Sequence, residues 1–378
     1  MNQQHLHIIS FDVPYPPNYG GVIDVYYKIK ALHEAGVKVH LHCFEYGRAQ
    51  QEELNKLCET VSYYHRKTNK SLLFNGIPYI VLSRTSDKLL EDLLKDDYPI
   101  LMEGLHSTFY LNHPSLKDRI KIVRTHNVEH DYYQSLAKVE GNVFKRYYFY
   151  NEANKLQKYE SILKNATYIA TISENDNEYY SANYDNVSCI PAFHPNENVE
   201  IKKGKGDYAL YHGNLAVGEN NEAALFLVNE VFNDLDIPLI IAGSRPSPEL
   251  IKVVNNNPNI QLKAGVSTEE IYEMLKGAQL NILPTFQSTG IKLKLLAALF
   301  HGRHCIVNTP MVEKTGLESL CIIANEPSEM KEQIKRLFQK ELSGDEINKR
   351  KILLEDKFSN KKNAELLIQL IAYSYQNP

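Results

Sequence analysis

HLHIISFDVPYPPNYGGVIDVYYKIKALHEAGVKVHLHCF, residues 5–44, decides the fold. Its opening, HLHIISFDV, is β-branched and apolar enough for a short strand, which Pro14 stops. The loop YPPNYGG follows, and its prolines and glycines forbid regular structure. Val22, Val25, Tyr26, Ile29 and Leu32 then recur with a helical period, and Gly36 is a natural left-handed stop. VKVHLHCF reads as the next strand. Strand, glycine-bearing loop, helix and strand make a right-handed βαβ unit, the seed of a doubly wound parallel sheet.

The alternation continues outward from that unit. PILMEG and IKIVRT read as buried strands, an aromatic and charged helical stretch runs from about Tyr132 to Leu163, and ATYIATIS and VSCIPAF close the half. HPNENVEIKKGKGD, residues 194–207, has no apolar period and reads as a linker. DYALYHG, IPLIIAG, IQLKAG, LNILP and HCIVN repeat the strand pattern, with helical runs such as NEAALFLVNEVF and TEEIYEMLKGA between them. The expected fold class is α/β, with two Rossmann-like doubly wound domains, residues 1–195 and 196–359, facing a cleft.

A chain of 378 residues has room for two such domains. Lys and Arg number 42 against 46 acids, a formal charge of -4, so the basic excess of a nucleic-acid binder is missing. No stretch has the ~18 apolar residues of a membrane helix, and the first residues lack the segments of a signal peptide. The five cysteines are scattered, with no C-x-x-C, which suits a reducing compartment. A soluble, cytoplasmic protein is expected.

Ligands of parallel sheets sit at the carboxyl ends of strands, so the loops there carry the candidates. Gly20 and Gly21 open a helix and can cradle phosphate, or merely permit a tight turn. Neither G-x-G-x-x-G nor a P-loop is present. RTHNVEHDYY, residues 124–133, spells H-x-x-E-H through His126, Glu129 and His130. That pattern binds zinc on a helix, but His126 follows a strand directly, so a metal-free histidine facing the cleft competes with the zinc hydrolase reading. Glu103 and His106 in MEGLHS could hold sugar hydroxyls or cap a helix. In the second half, Gly213 and Asn214 lie in HGNLAVGENN, and Ser244 and Arg245 in IIAGSRP. LPTFQSTGIKLKLLAALFHGR adds Ser288, Thr289 and Gly290 at a helix start, with Lys292 and Lys294 in the first turns. Cations there oppose the macrodipole and make sense beside a polyanion such as a diphosphate.

Together these stretches resemble a GT-B glycosyltransferase, specifically the large retaining family 4, over nearly the whole chain. The resemblance implies an activated sugar held mainly by the second domain, an acceptor approaching from the first, and a final helix, residues 360–378, crossing back. His126 would be the cleft histidine near the anomeric centre, the catalytic position, and Gly20 and Gly21 would approach donor phosphate or acceptor. Gly213, Asn214, Ser244, Arg245 and the 288–290 loop would hold the diphosphate, with charge from Lys292 and Lys294. Glu103, His106 and Asn127 would contact acceptor or sugar. It implies a nucleotide-sugar donor, UDP- or GDP-linked, no cofactor and no metal. The acceptor would be a glycan or a lipid-linked molecule, with room for a peripheral contact at the inner face of the membrane. The sequence departs from the family at its paired glutamates, where Thr289 and Ala297 stand. Ribose would then be held otherwise, by Glu313 or Glu318, or the chain is a catalytically silent homologue that only binds nucleotide or glycan.

Overall fold

The computed structural model describes residues 4–286 and 293–376, which divide into two compact units. The first runs to Pro195 and takes up the chain again from Phe358. Its seven-stranded sheet is built from β1 (His5–Ser10), β2 (Lys38–Glu45), β3 (Thr60–His65), β4 (Ile100–Glu103), β5 (Lys121–Arg124), β6 (Tyr168–Thr171) and β7 (Val187–Cys189). The strand order is β3-β2-β1-β4-β5-β6-β7, and each pairing is parallel. The order reverses between β1 and β4, and the crevice outside such a switch point is where open α/β sheets receive ligands. The helices are α1 (Gly20–Glu34), α2 (Tyr79–Leu82), α3 (Asp87–Leu93), α4 (Glu129–Val139), α5 (Val143–Tyr159) and α6 (Glu174–Ser181).

Side chains alternate across the strands and fill two cores. Leu6, Ile8, Val39 and Leu41 face Val22, Val25, Ile29 and Leu32 of α1. Ile9, Phe44, Met102 and Val123 face the opposite layer with Leu156 of α5. His7 and His42 lie buried among these strands, and His7 Nδ1 lies 2.8 Å from His42 Nε2 while its Nε2–H donates to Asp96 at 2.9 Å.

The second unit repeats the plan with β8 (Ala209–His212), β9 (Leu239–Gly243), β10 (Ile260–Ala264), β11 (Leu280–Leu283), β12 (His304–Val307) and β13 (Ile322–Ile323), ordered β10-β9-β8-β11-β12-β13. Its helices are α7 (Gly218–Phe226), α8 (Pro248–Asn255), α9 (Thr268–Gly277), α10 (Leu293–His301), α11 (Thr309–Val312), α12 (Pro327–Phe338) and α13 (Gly344–Lys357). The last helix, α14 (Asn360–Gln376), belongs to the first unit, where Ala364, Leu367 and Ile371 join the core beside α1.

Three local readings change. The long helical stretch after β5 is two helices, broken at Gly141 and Asn142, whose Oδ1 accepts from the backbone of Phe144 and Lys145 to start α5. β3 went unread because it is an edge strand with one buried residue and little apolar signal. The 194–207 segment is irregular, as read, but not solvated at its start. His194 donates to the Phe358 carbonyl at 2.9 Å, and Asn196 accepts from Tyr272 at 2.8 Å and His301 at 3.0 Å.

Gly21 has a steric reason. A Cβ there would stand 2.6 Å from Phe11 Cζ, whereas one on Gly20 meets nothing within 4 Å. Gly21→Ala is expected to lower stability by about 1–3 kcal/mol through displacement of the Phe11 ring. Gly20→Ala should stay within about 0.5 kcal/mol of the parent in the same thermal melts.

Candidate functional site

At the switch point of the first unit a ladder of buried charges crosses three elements. Asp24 and Lys28 come from α1, Glu103 ends β4 and Arg124 ends β5, and all four are almost wholly inaccessible. Arg124 donates to Asp24 Oδ1 at 2.9 Å, and the Phe193 backbone N–H donates to the same oxygen at 2.8 Å. Lys28 donates to Asp24 Oδ2 at 2.9 Å and to Glu103 Oε1 at 2.6 Å. Glu103 Oε2 accepts from His126 Nε2 at 2.9 Å, and His126, in the loop between β5 and α4, is the partly exposed end of the ladder. Burial alone would raise both carboxyls. Arg124 and Lys28 hold Asp24 far below the usual range, and Lys28 and His126 hold Glu103 below it. An ionised Glu103 only accepts, so His126 carries its proton on Nε2 and turns Nδ1 outward.

Phe11 joins the remaining pieces. Its ring packs 5.2 Å from His106 and edge-on at 5.5 Å from His126, under Gly21. Its carbonyl accepts from the buried Arg84 at 2.7 Å. Glu129, the first residue of α4, is buried and pushed up to about 8 by desolvation and then by Asp176, against a smaller opposing effect of Arg84. His106 is driven well below its ordinary value by burial and the neighbouring cations, and its Nδ1 lies 3.9 Å from Glu129. At neutral pH this pair is an uncharged acid beside an uncharged base.

Ligand atoms of Asp24, Glu103 and His126 lie within 4.8 Å of one another, as a metal would need. Lys28 already bonds both carboxylates, so a cation would meet an ammonium where it must bind. The zinc reading fares no better. His126 precedes α4 and is spent on Glu103, while His130 lies 3.4 Å from both Glu160 and Asp131, so the two rings are addressed to different carboxylates.

At the corresponding edge of the second unit stand amides, hydroxyls, Lys294, Arg245 and the Glu219 carboxylate, which accepts from the Thr285 hydroxyl. Asn214, after β8, accepts on Oδ1 from the Ser244 hydroxyl after β9 at 2.9 Å. A Cβ on Gly243 would collide with the Gly213 carbonyl, so the two loops touch only because glycine ends β9. Lys294, in the first turn of α10, donates to Asn220 Oδ1 at 2.8 Å, and Asn220 donates to the Asn214 carbonyl at 3.0 Å. Asn308, after β12, bonds both the N–H and the carbonyl of Thr285, fixing the turn after β11. His212 is pushed down to about 3 by burial and then by Lys294, so it adds no charge. Arg245 is exposed and has a left-handed backbone, φ 52.

Residues 206–340, most of this second unit, match the family model described as glycosyl transferases group 1. This segment is a group 1 glycosyl transferase domain. Solved structures extend the likeness of fold to the whole chain. Sucrose-phosphate synthase from Thermosynechococcus elongatus superposes with a TM-score of 0.70 at 14% identity, covering 99% of this chain and 100% of that one. Anabaena HepE, solved in complex with UDP and glucose, gives 0.66 at 8% identity over 98% and 100%. The fold of the chain is GT-B. A Klebsiella pneumoniae protein described as an uncharacterized 44.6 kDa protein in the cps region is 28% identical over 84% of this chain and 87% of its own.

On this GT-B scaffold the sequence-derived residues fall into two groups. Gly21, Glu103, His106 and His126 converge in the first unit, with Gly20 one position ahead on α1 and Asn127 held through its carbonyl by the Tyr180 hydroxyl at 3.2 Å. Glu103 is turned inward. It is fully buried and its two oxygens are taken by Lys28 and His126, so it positions His126. Gly213, Asn214, Ser244 and Lys294 converge in the second, with Arg245 beside Ser244. Ser288, Thr289, Gly290 and Lys292 lie outside the described residues. Sequence reading missed Asp24, Lys28, Phe11 and Arg84. The one signal was an Asp-Lys pair four apart on the same helix face as Val25 and Ile29.

Two substitutions separate the two carboxyl environments. Lys28→Met strands two buried carboxylates and should cost about 3–5 kcal/mol in chemical denaturation. Glu129 has a folded value raised to about 8, above its ordinary 4.5. Its contribution is therefore fully present at acid pH and is lost as pH rises from 4.5 through about 8. Glu129→Gln should be more stable than the parent above that range, with the advantage vanishing toward its acid end.

Proposed function

We propose that the chain is a retaining, family 4-like glycosyltransferase that moves a hexosyl group from a UDP- or GDP-linked sugar to a glycan or lipid-linked acceptor in bacterial surface polysaccharide synthesis. The observation that carries the reading is the ladder ending on His126 in a chain whose second unit is a group 1 glycosyl transferase domain. The relative from a cps region and the UDP and glucose bound by HepE support the polysaccharide context and the donor class.

Transfer breaks the bond between the anomeric carbon and the diphosphate and forms one to the acceptor oxygen, so negative charge grows on the departing phosphate. Donors already fixed in place stabilise that charge without reorganising. The Gly213 and Ser244 loops, the start of α10 and Lys294 suit this task, since helix N-termini and a cation both favour anions. His126, with Nε2 committed to Glu103, offers Nδ1 to the sugar at the reacting carbon, and Phe11 walls the ring on one side.

The silent-homologue reading keeps one observation in its favour. Ala297 is buried within α10 where the family carries a carboxylate, so the ribose contact must come from elsewhere. Glu313, exposed just past α11 beyond β12, is on the ligand edge of the sheet.

A panel of UDP-, GDP- and ADP-sugars, scored by thermal shift and by release of free nucleotide, separates the readings. An active enzyme shows a shift with one base and turnover of one sugar. Binding without turnover establishes the silent homologue. In the active case His126→Ala should cut transfer at least about 100-fold while the chain remains folded, and unchanged turnover would remove His126 from the reaction.

A further inference from the structure

The loop that carries His126 leads directly into a helical hairpin whose far end is not covered by protein. α4 and α5 run antiparallel, with Tyr133 against Phe149 at a ring separation of 5.9 Å. The buried residues of α5, Glu152, Ala153 and Leu156, all lie in its second half. Its first half is exposed, as is the end of α4. Eleven residues of α4 rise about 16 Å from the edge where the site lies. At the tip Phe144 is 87% exposed, Tyr147 72% and Val143 63%, with Val139 opposite at 46%.

The polar residues among them are basic. Lys138, Lys145 and Arg146 are exposed and make no ion pair among the described residues, with Glu140 the one acid between them. Several exposed lysines of this unit have acids in reach, as Lys88 with Asp92 at 3.0 Å, Lys95 with Asp92 at 2.6 Å and Lys56 with Glu53 at 2.6 Å, whereas Lys70, Lys158 and Lys164, like the cations of the tip, have none among the described residues. What sets the tip apart is that its cations are interleaved with exposed rings and two β-branched side chains, in a chain whose formal charge is -4.

We propose that this tip docks on an anionic lipid bilayer. Aromatic rings settle at the headgroup level and lysine and arginine are drawn to acidic headgroups, so both kinds of residue favour that occupant. A second copy of the chain fits worse, because a twofold contact through the tip sets Lys145 and Arg146 against the same cations. Docking here brings the loop of His126 to the surface where a lipid-linked acceptor resides. That consequence rests on the transferase reading, whereas docking itself needs neither donor nor acceptor.

The test is sedimentation of the full chain with phosphatidylcholine vesicles, with and without phosphatidylglycerol, in the absence of any sugar nucleotide. Wild type should bind the anionic vesicles and be released by salt. Lys145→Gln with Arg146→Gln should weaken the partition about 30-fold. Phe144→Ser with Tyr147→Ser should weaken it at least about tenfold by removing ring burial. Both double variants change exposed residues and should melt as wild type does. Absence of binding, equal binding by either variant, or a concentration-dependent dimer in lipid-free buffer that the Phe144 and Tyr147 changes abolish would overturn the proposal. Failure in this assay leaves nucleotide turnover untouched, so the two readings fall separately.

Discussion

The first unit depends on the alternation of charge from Arg124 through Asp24, Lys28 and Glu103 to His126. Buried ion pairs contribute little net stability compared with apolar packing, because desolvation offsets most of their attraction. What this ladder supplies is position. Asp24 and Lys28 pin α1 to the ends of β4 and β5, and Arg124 reaches on to the carbonyls of Thr171 and Pro191, at 3.1 Å each. Each of the four buried members has at least two partners, so none can rotate without stranding another in a medium where a lone charge is costly. His126 inherits that rigidity through one bond.

The two units share a sheet plan but solve different problems at their switch points. The first turns its charges inward against each other and presents one imidazole. The second presents hydroxyl, amide and ammonium groups on loops that glycine lets touch, at Gly213 and Gly243. On the proposed transfer reading, that division puts charge where a phosphate would leave and orientation where the new bond would form.

The architecture was legible in the sequence because parallel strands buried on both faces are short apolar runs, and the loops after them carry glycine, proline and polar residues. Residues 5–44 alone specify β1, α1 and β2. The histidine at the end of IKIVRT was legible for the same reason, since a polar residue just past a buried strand faces the ligand edge. Asp24, Lys28 and Arg84 were not. A charged residue on a helix reads as solvated, and only the third dimension brings Glu103, 75 positions from Lys28, to its ammonium. β3 was lost to its edge position, and the break at Asn142 to an aromatic run with no apolar period of its own.

Glu103 and Glu129 show how neighbours decide what a carboxyl does. Both are buried at the same end of the sheet, and burial raises both. Glu103 touches an ammonium and an imidazole N–H and remains an anion, which is what fixes the His126 tautomer. Glu129 has Asp176 as its stronger electrostatic neighbour and keeps its proton at neutral pH. Were Glu129 ionised as well, Asp176 would repel its charge more than Arg84 attracts it. The desolvation that Glu103 overcomes through Lys28 and His126 therefore makes Glu129 a weak acid.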